Sequence, residues 1–342
     1  MKPFRIVDSR HSVKNALSSG GVGHYTFLVC AIFSSNAANL WIAIGFEMSS
    51  MRTLILTSST LHLKPYLEKY GEFNLLVSEP NKDGKLLFPD GEVYVRFPSV
   101  SKIKGRIVVL HAGVPHPNRG LVELESTLSV LRQGGHTNIE VFFTYMPYSM
   151  QDKVHKDGET NAAQNLLQKL VSYHGVKRIY AIDPHFGDAV WVTAFPFVAV
   201  SAHELLLSGA LKHYQGAVFV APDKGHEIRT QKLKGPEKSR QDSHTVTLKH
   251  DEAFMNELRG KTIGVVDDII ETGGTLMKFH EACASYLPKE LFVVATHGVL
   301  PEGITRVKKT YSRLFLSNTI PHAEASIDVT SLIVSTLKRH EI

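Results

Sequence analysis

Val265-Val266-Asp267-Asp268-Ile269-Ile270-Glu271-Thr272-Gly273-Gly274-Thr275-Leu276 runs from a β-branched pair through two acids into a glycine- and hydroxyl-rich turn. That order predicts a strand, Thr262–Val266, a turn, and a helix over Gly274–Ala284. The first turn of a helix leaves N–H groups without intrahelical acceptors, so it favours an anion. Thr272, Gly273, Gly274 and Thr275 would present those donors together with two hydroxyls, and glycine lets a ligand approach the backbone closely. Asp267 and Asp268, expected at the strand end, suit a vicinal diol. Phosphate plus diol reads as a ribose 5-phosphate, and Glu271 adds a further carboxylate to the same loop. A plain strand–turn–helix with a capping threonine and solvated acids is the competing reading. The combined pattern of two acids, two apolar residues, an acid and T-G-G-T argues against it.

Outward from this loop, short apolar runs alternate with amphipathic ones. Leu54–Thr57, Ile107–Leu110, Ile139–Phe143, Arg178–Ile182, Ala217–Val220, Thr262–Val266 and Leu291–Thr296 read as strands. Leu121, Leu124, Leu128 and Leu131 recur at helical spacing, as do Leu166, Leu167 and Leu170 within Asn161–Val171. Strand–helix alternation predicts parallel sheets covered on both faces. It occurs twice, so the chain divides into an α/β half over 51–197 and another over 198–342, the last stretch being a helix that could pack on the first half. In such sheets ligands bind beyond the carboxyl ends of the strands.

The chain has 342 residues, 43% hydrophobic and 21% charged, values of a globular protein with about two domains. The net charge of +5 is scattered, without a block of like charges, so a nucleic-acid partner is not expected. Two cysteines, Cys30 and Cys283, cannot build a disulfide framework and fit a reducing, cytoplasmic setting. Residues 1–50 read differently. Tyr25–Phe46 carries no charge, but its centre, Ser34-Ser35-Asn36-Ala37-Ala38-Asn39, is polar, so membrane contact is not expected. The reading preferred is a mis-assigned start or a disordered extension, ahead of a membrane-contacting segment or a signal peptide.

Several further segments, together with the 265–276 loop, resemble the ribose-phosphate pyrophosphokinase (phosphoribosyl-diphosphate, PRPP, synthase) family over about Met51 to Ile342. Phe88-Pro89-Asp90-Gly91-Glu92-Val93-Tyr94-Val95-Arg96 is similar to the family's adenine loop, although P-D-G alone signals a turn followed by an alternating strand. The resemblance implies that Phe88, Asp90 and Glu92 contact ATP across a subunit interface, hence a homo-oligomer of at least two chains. Pro147-Tyr148-Ser149-Met150-Gln151-Asp152-Lys153 resembles a second ATP loop and carries Gln151 and Asp152 over as ATP-binding. The family has an arginine where this chain has Met150, and methionine cannot make charge-assisted bonds to phosphate.

Ile182-Asp183-Pro184-His185 resembles the element that places a histidine beside Mg²⁺ and the nucleotide phosphates, which makes His185 a metal-site candidate. Val220-Ala221-Pro222-Asp223-Lys224-Gly225 resembles the pyrophosphate loop, with Asp223 a second candidate for Mg²⁺. Glu237-Lys238-Ser239-Arg240 resembles the flexible catalytic loop, which makes Lys238 and Arg240 the catalytic candidates. Ala295-Thr296-His297-Gly298 and Asn318-Thr319-Ile320-Pro321 match further family elements, without assigned roles.

The resemblance implies two tandem phosphoribosyltransferase-like domains, each a mainly parallel sheet flanked by helices. It also implies Mg²⁺ as cofactor, ATP and ribose 5-phosphate as substrates, and diphosphoryl transfer to the anomeric hydroxyl to give PRPP and AMP. A catalytically weakened regulatory paralogue and a PRPP-using phosphoribosyltransferase are the alternatives.

Overall fold

In the computed structural model the residues described are 52–187, 189–222 and 252–341, with the backbone of 237–240 and 246–249. The extension 1–50 lies outside them. Residues Met48–Ile342 form one compact unit.

Among the described residues the strands form two parallel sheets and a small hairpin. The first sheet has the order β2-β1-β3-β4-β5-β6, with β1 Arg52–Leu56, β2 Phe73–Val77, β3 Ile107–Ala112, β4 Ile139–Tyr145, β5 Arg178–Ile182 and β6 Phe197–Val200. The second has the order β13-β12-β11-β10-β7, with β7 Val218–Val220, β10 Thr262–Ile270, β11 Glu290–Gly298, β12 Leu314–Ser317 and β13 Ala325–Ile327. The run β3-β4-β5-β6 in one sheet is matched by β7-β10-β11-β12 in the other. Two similar α/β halves are therefore present, and the first sheet continues to Val200.

Period-two alternation divides the apolar residues between faces. On the first sheet Ile55, Ile107, Val109, Val141 and Ile179 point to one side, where helices Pro117–Gln133 and Ala162–Ser172 deliver Leu124, Leu128, Leu131, Leu166, Leu167 and Leu170. Asn161 caps the second of these helices by accepting from the Gln164 N–H at 2.9 Å. On the other side Leu54, Leu56, Val108, Leu110, Phe142 and Tyr180 meet Val266, Phe292, Val294 and Phe315 of the second sheet through helices His203–Leu211 and Thr330–Arg339. This core is shared by both halves. The far face of the second sheet buries Leu276, Phe279 and Val307 from helices Gly274–Ala284 and Pro301–Thr310.

The last helix is tied to the first sheet by polar groups as well. Glu140 on β4 is buried and accepts from Arg106 Nε at 2.9 Å and Nη2 at 2.7 Å. The same guanidinium donates to the Leu337 carbonyl at 2.8 Å, and Arg178 donates to the His340 carbonyl at 3.0 Å. Two cations thus satisfy carbonyls at the end of Thr330–Arg339, where the helix dipole favours positive charge.

Two local expectations are corrected. Residues 88–96 form no alternating strand; Leu87 and Val93 make one isolated bridge, because no neighbouring strand extends it. Glu237–Arg240 is not an open loop but β8, paired antiparallel with β9 Val246–Lys249.

Candidate active site

Strand β10 runs beyond the expected end at Val266, because β11 keeps pace with it through Ile269–His297 and Ile270–Gly298. Asp267 and Asp268 therefore lie within the strand, and both are buried. Adjacent strand residues face opposite ways. Asp267 lies on the side of Tyr311, whose pKa its charge helps burial to raise. Asp268 faces the first half. The two acids, read together from the sequence as acceptors for a diol at the strand end, leave β10 from opposite faces.

The strand then enters Glu271–Gly273. Gly273 has φ +74°, a left-handed conformation that side-chain-bearing residues rarely adopt, and it opens helix Gly274–Ala284. The N-cap is Gly273, which has no side chain to offer; Thr272 Oγ1 accepts from the Gly274 N–H at 3.4 Å, and Gly274, Thr275 and Thr272 are partly or fully exposed. The loop is backed by Gly303 on helix Pro301–Thr310. A Cβ there would stand 1.7 Å from the Glu271 carbonyl oxygen, so only glycine admits this packing. The donors for a phosphate are held by packing beneath them.

Two strand ends cross over from one half to the other. After β5, His185 places Nδ1 3.0 Å from Asp268 Oδ2. Asp183, at φ +36°, accepts from the Ala202 N–H at 3.2 Å and from Thr296 Oγ1 at 2.7 Å. From β11, His297 reaches back: its Nε2 is 3.0 Å from the Ile182 carbonyl and its Nδ1 2.9 Å from Thr319 Oγ1. Facing a carbonyl, Nε2 carries the proton; burial lowers the pKa of this ring and keeps it neutral. The ring of Tyr145, at the end of β4, packs edgewise on His297 at 5.0 Å. Asp183, Thr296, His297 and Tyr145 drew no role from the sequence, although three of them stand in quoted motifs at strand ends.

With Nδ1 donating to Asp268, the His185 ring lone pair resides on Nε2, the form in which imidazole binds a cation. Among the described residues no group of three His, Cys, Asp or Glu is placed to hold a metal ion. A carboxylate beside an imidazole still fits Mg²⁺, which keeps several waters and leans on substrate phosphates. Asp223 lies outside the described residues. Lys238 and Arg240 lie on β8, where only the backbone is described.

The ATP candidates fall into two places. Gln151 and Asp152 follow β4 in the turn that carries the exposed Met150. The Asp152 carbonyl accepts from Asn161 Nδ2 at 2.7 Å and Trp191 Nε1 at 3.1 Å. Phe88, Asp90 and Glu92 occupy an exposed turn closed by Gly91 N–H to the Phe88 carbonyl at 3.0 Å and Glu92 N–H to Asp90 Oδ1 at 3.1 Å.

Comparison with known proteins follows this geometry. A family profile described as the N-terminal domain of ribose phosphate pyrophosphokinase matches residues 84–175. The ribose-phosphate pyrophosphokinase of Pyrococcus abyssi is 31% identical over 292 residues, which cover 82% of this chain and 96% of that protein. Its counterpart in Thermococcus kodakarensis is 31% identical over 250 residues, covering 71% of this chain and 87% of the relative. The crystal structure of phosphoribosylpyrophosphate synthetase from Mycobacterium smegmatis superposes with a TM-score of 0.68 at 22% identity, over 84% of this chain and 97% of that one. The two sheets and their helices share that fold.

Proposed function

The chain belongs to the ribose-phosphate pyrophosphokinase family and is an enzyme of that kind, and from this premise we propose that it transfers the diphosphoryl group of ATP to the anomeric hydroxyl of ribose 5-phosphate, giving PRPP and AMP. The observation that carries the reading is the meeting of His185 and Asp268, 3.0 Å apart, on the strand that leads into the exposed helix N-terminus at Gly273–Gly274. A phosphate on that terminus would leave the ribose ring toward the end of β10, on the Asp268 face. Its anomeric end then faces the end of β5 and His185.

Thr272 to Thr275 would bind the 5-phosphate through N–H groups and hydroxyls, with Glu271 at the loop's start. Asp268 would hold a ribose hydroxyl while fixing the His185 ring. His185 and Asp223 would hold Mg²⁺, which when bound neutralises charge on the ATP phosphates. Lys238 and Arg240 would add positive charge to the transferring group, since phosphoryl-type transfer depends on positioning and charge stabilisation. Gln151 and Asp152 would hold ATP from the first half, and the Phe88–Glu92 turn would complete the ATP site of a second copy.

Formation of AMP from ATP, dependent on both ribose 5-phosphate and Mg²⁺, tests this reading; AMP release that ignores ribose 5-phosphate refutes it. Met150 favours a second reading, a regulatory paralogue with a weakened ATP site, because 43% of its surface is exposed where a cation would meet the nucleotide. Ribose 5-phosphate binding without turnover is the signature of that alternative. No described helix is long and apolar enough to cross a membrane.

A further inference from the structure

We propose that Thr296, buried on β11 of the second half, is a positioning residue for the reaction: by holding the Asp183 carboxylate it fixes the chain at the end of β5 and so aims His185 at Asp268. The inference rests on the assignment of His185 to Mg²⁺ and of Asp268 to the sugar.

His185 lies between two buried residues, Pro184 and Phe186. Phe186 is anchored in the apolar cluster of the first half, its ring 4.9 Å from Trp191 and 5.5 Å from Phe197. The direction in which His185 points then depends on what fixes the chain ahead of it. Asp183 has φ +36°, although a residue before proline ordinarily stays extended. Such a conformation persists only where the surroundings over-determine it. Two anchors come from the first half. The Asp183 N–H donates to the Val200 carbonyl at 2.9 Å, and the carboxylate accepts from the Ala202 N–H at 3.2 Å. Two more come from the second half. Thr296 Oγ1 donates to Asp183 Oδ2 at 2.7 Å, and His297 Nε2 donates to the neighbouring Ile182 carbonyl at 3.0 Å.

The donors of the second half are themselves held in one proton arrangement. With its proton on Nε2, His297 accepts at Nδ1 from Thr319 Oγ1 at 2.9 Å. Ser317 Oγ donates to the Thr296 carbonyl at 2.6 Å and accepts from the Thr319 N–H at 3.2 Å. Thr296 is wholly buried and its hydroxyl proton is committed to Asp183, so it acts through the carboxylate it holds. Strand pairing completes the arrangement. β11, which carries Thr296, lies beside β10, which carries Asp268. Two neighbouring strands of one sheet therefore grip the same short segment, one by Asp183 and the other by His185. That pairing sets the spacing between the proposed metal ligand and the proposed sugar ligand.

The test compares Thr296→Val and Thr296→Ala, which remove the donor, with Thr296→Ser, which keeps it, each also in a His185→Ala background. Two readouts are taken on the full chain. One is turnover against Mg²⁺ concentration. The other is the ¹⁵N imidazole spectrum of the metal-free protein at alkaline pH, where imidazole is neutral; His185 is identified by the signal that His185→Ala removes. The wild-type ring should show one tautomer, protonated at Nδ1. A lost hydrogen bond to a charged group corresponds to about a tenfold effect or more. The donor-removing variants should therefore lower kcat about tenfold, raise the Mg²⁺ needed for half-maximal turnover, and average the His185 signal between tautomers. Thr296→Ser should restore all three. Because Thr296 acts through His185, removing its hydroxyl lowers turnover no further in the His185→Ala background. A wild-type Mg²⁺ response and His185 spectrum, with only the melting temperature lowered, reduces Thr296 to a structural role and overturns the proposal. Effects that multiply in the His185→Ala background overturn it too, and leave the metal assignment standing. If His185→Ala itself leaves turnover and the Mg²⁺ response unchanged, the metal assignment fails and the proposal with it.

Discussion

His185 and Asp268 stand 83 positions apart in sequence, on strand ends of different sheets, yet their side chains meet at 3.0 Å. The contact orders the imidazole by fixing which nitrogen carries the proton. It also means that the proposed metal ligand and the proposed sugar ligand come from opposite halves and move together. His185→Ala should therefore lower turnover and also weaken ribose 5-phosphate binding, although the imidazole is assigned to the metal. Turnover falling with sugar binding untouched would show that the contact positions nothing.

Gly303 gives a prediction remote from any substrate atom. An alanine there would place its Cβ on the Glu271 carbonyl, so the loop must shift. Overpacking of this kind costs about 1–3 kcal/mol. Gly303→Ala should lower the melting temperature and raise the KM for ribose 5-phosphate at least several-fold. A wild-type KM for the sugar with a lowered melting temperature would remove the helix backing from the site.

Lys238 is expected to act mainly in the transition state. Lys238→Ala should reduce kcat far more than it weakens ribose 5-phosphate binding. Full turnover in this variant would take the β8 segment out of the mechanism.

Met150 occupies an exposed turn, at the position where the family resemblance leads one to expect an arginine. One charge-assisted hydrogen bond contributes about 1.5–3 kcal/mol, or roughly ten- to a hundredfold in affinity. Met150→Arg should lower the KM for ATP by about that factor. The competing outcome has a chemical basis: His155 and Lys156 sit nearby on a turn whose N–H groups donate to Glu159 Oε2 at 2.9 and 3.0 Å. If either cation already serves ATP, the added arginine will leave KM flat or raise it.

His111 sets an acid limit to stability. It is fully buried on β3, and burial pushes its pKa down to about 3. Its Nδ1 meets Thr57 Oγ1 at 3.0 Å, while its Nε2 has no partner to receive a second proton among the described residues. The unfolded chain protonates this ring near pH 6.5 and the folded chain does not. Its contribution is therefore complete above about pH 6.5 and declines as pH falls toward 3. Between pH 7 and pH 5 the loss is about 2 kcal/mol. In urea unfolding at those two pH values, His111→Asn should lose less stability than wild type by that amount. Equal losses would place the pH sensitivity elsewhere.

The parts legible in the sequence were those written in local pattern. The helix Gly274–Ala284 has the bounds its glycine turn and apolar spacing indicate, and Asn161 caps the helix that its leucines mark. The buried strands β1, β3, β4, β5, β10 and β11 stand where apolar runs placed them. Strands β2, β6 and β13 escaped notice because they are sheet edges, mostly half-buried, and β12 because it has only four residues. The length of β10 is likewise set by β11, which is why Asp267 and Asp268 became strand residues on opposite faces. The crossings His185–Asp268, Thr296–Asp183 and His297–Tyr145 depend on how two sheets meet, and no periodicity along one strand records that. The Phe88–Glu92 turn shows the reverse case, a strand-like alternation without a neighbour to pair with.

The helix Thr330–Arg339 is the last element of the chain, yet Ile333, Val334 and Leu337 complete the core over β1, β3 and β4, and Arg106 and Arg178 hold its final carbonyls. During synthesis the first half therefore emerges with one sheet face bare and with Arg106 and Arg178 lacking the carbonyls they later hold. It cannot reach its native packing until residues 330–339 are available to cover it. Folding of the two halves is consequently not sequential by domain, as it is in many two-domain chains. A chain without residues 330–339 would carry an exposed apolar face, the substrate that chaperones and proteases recognise.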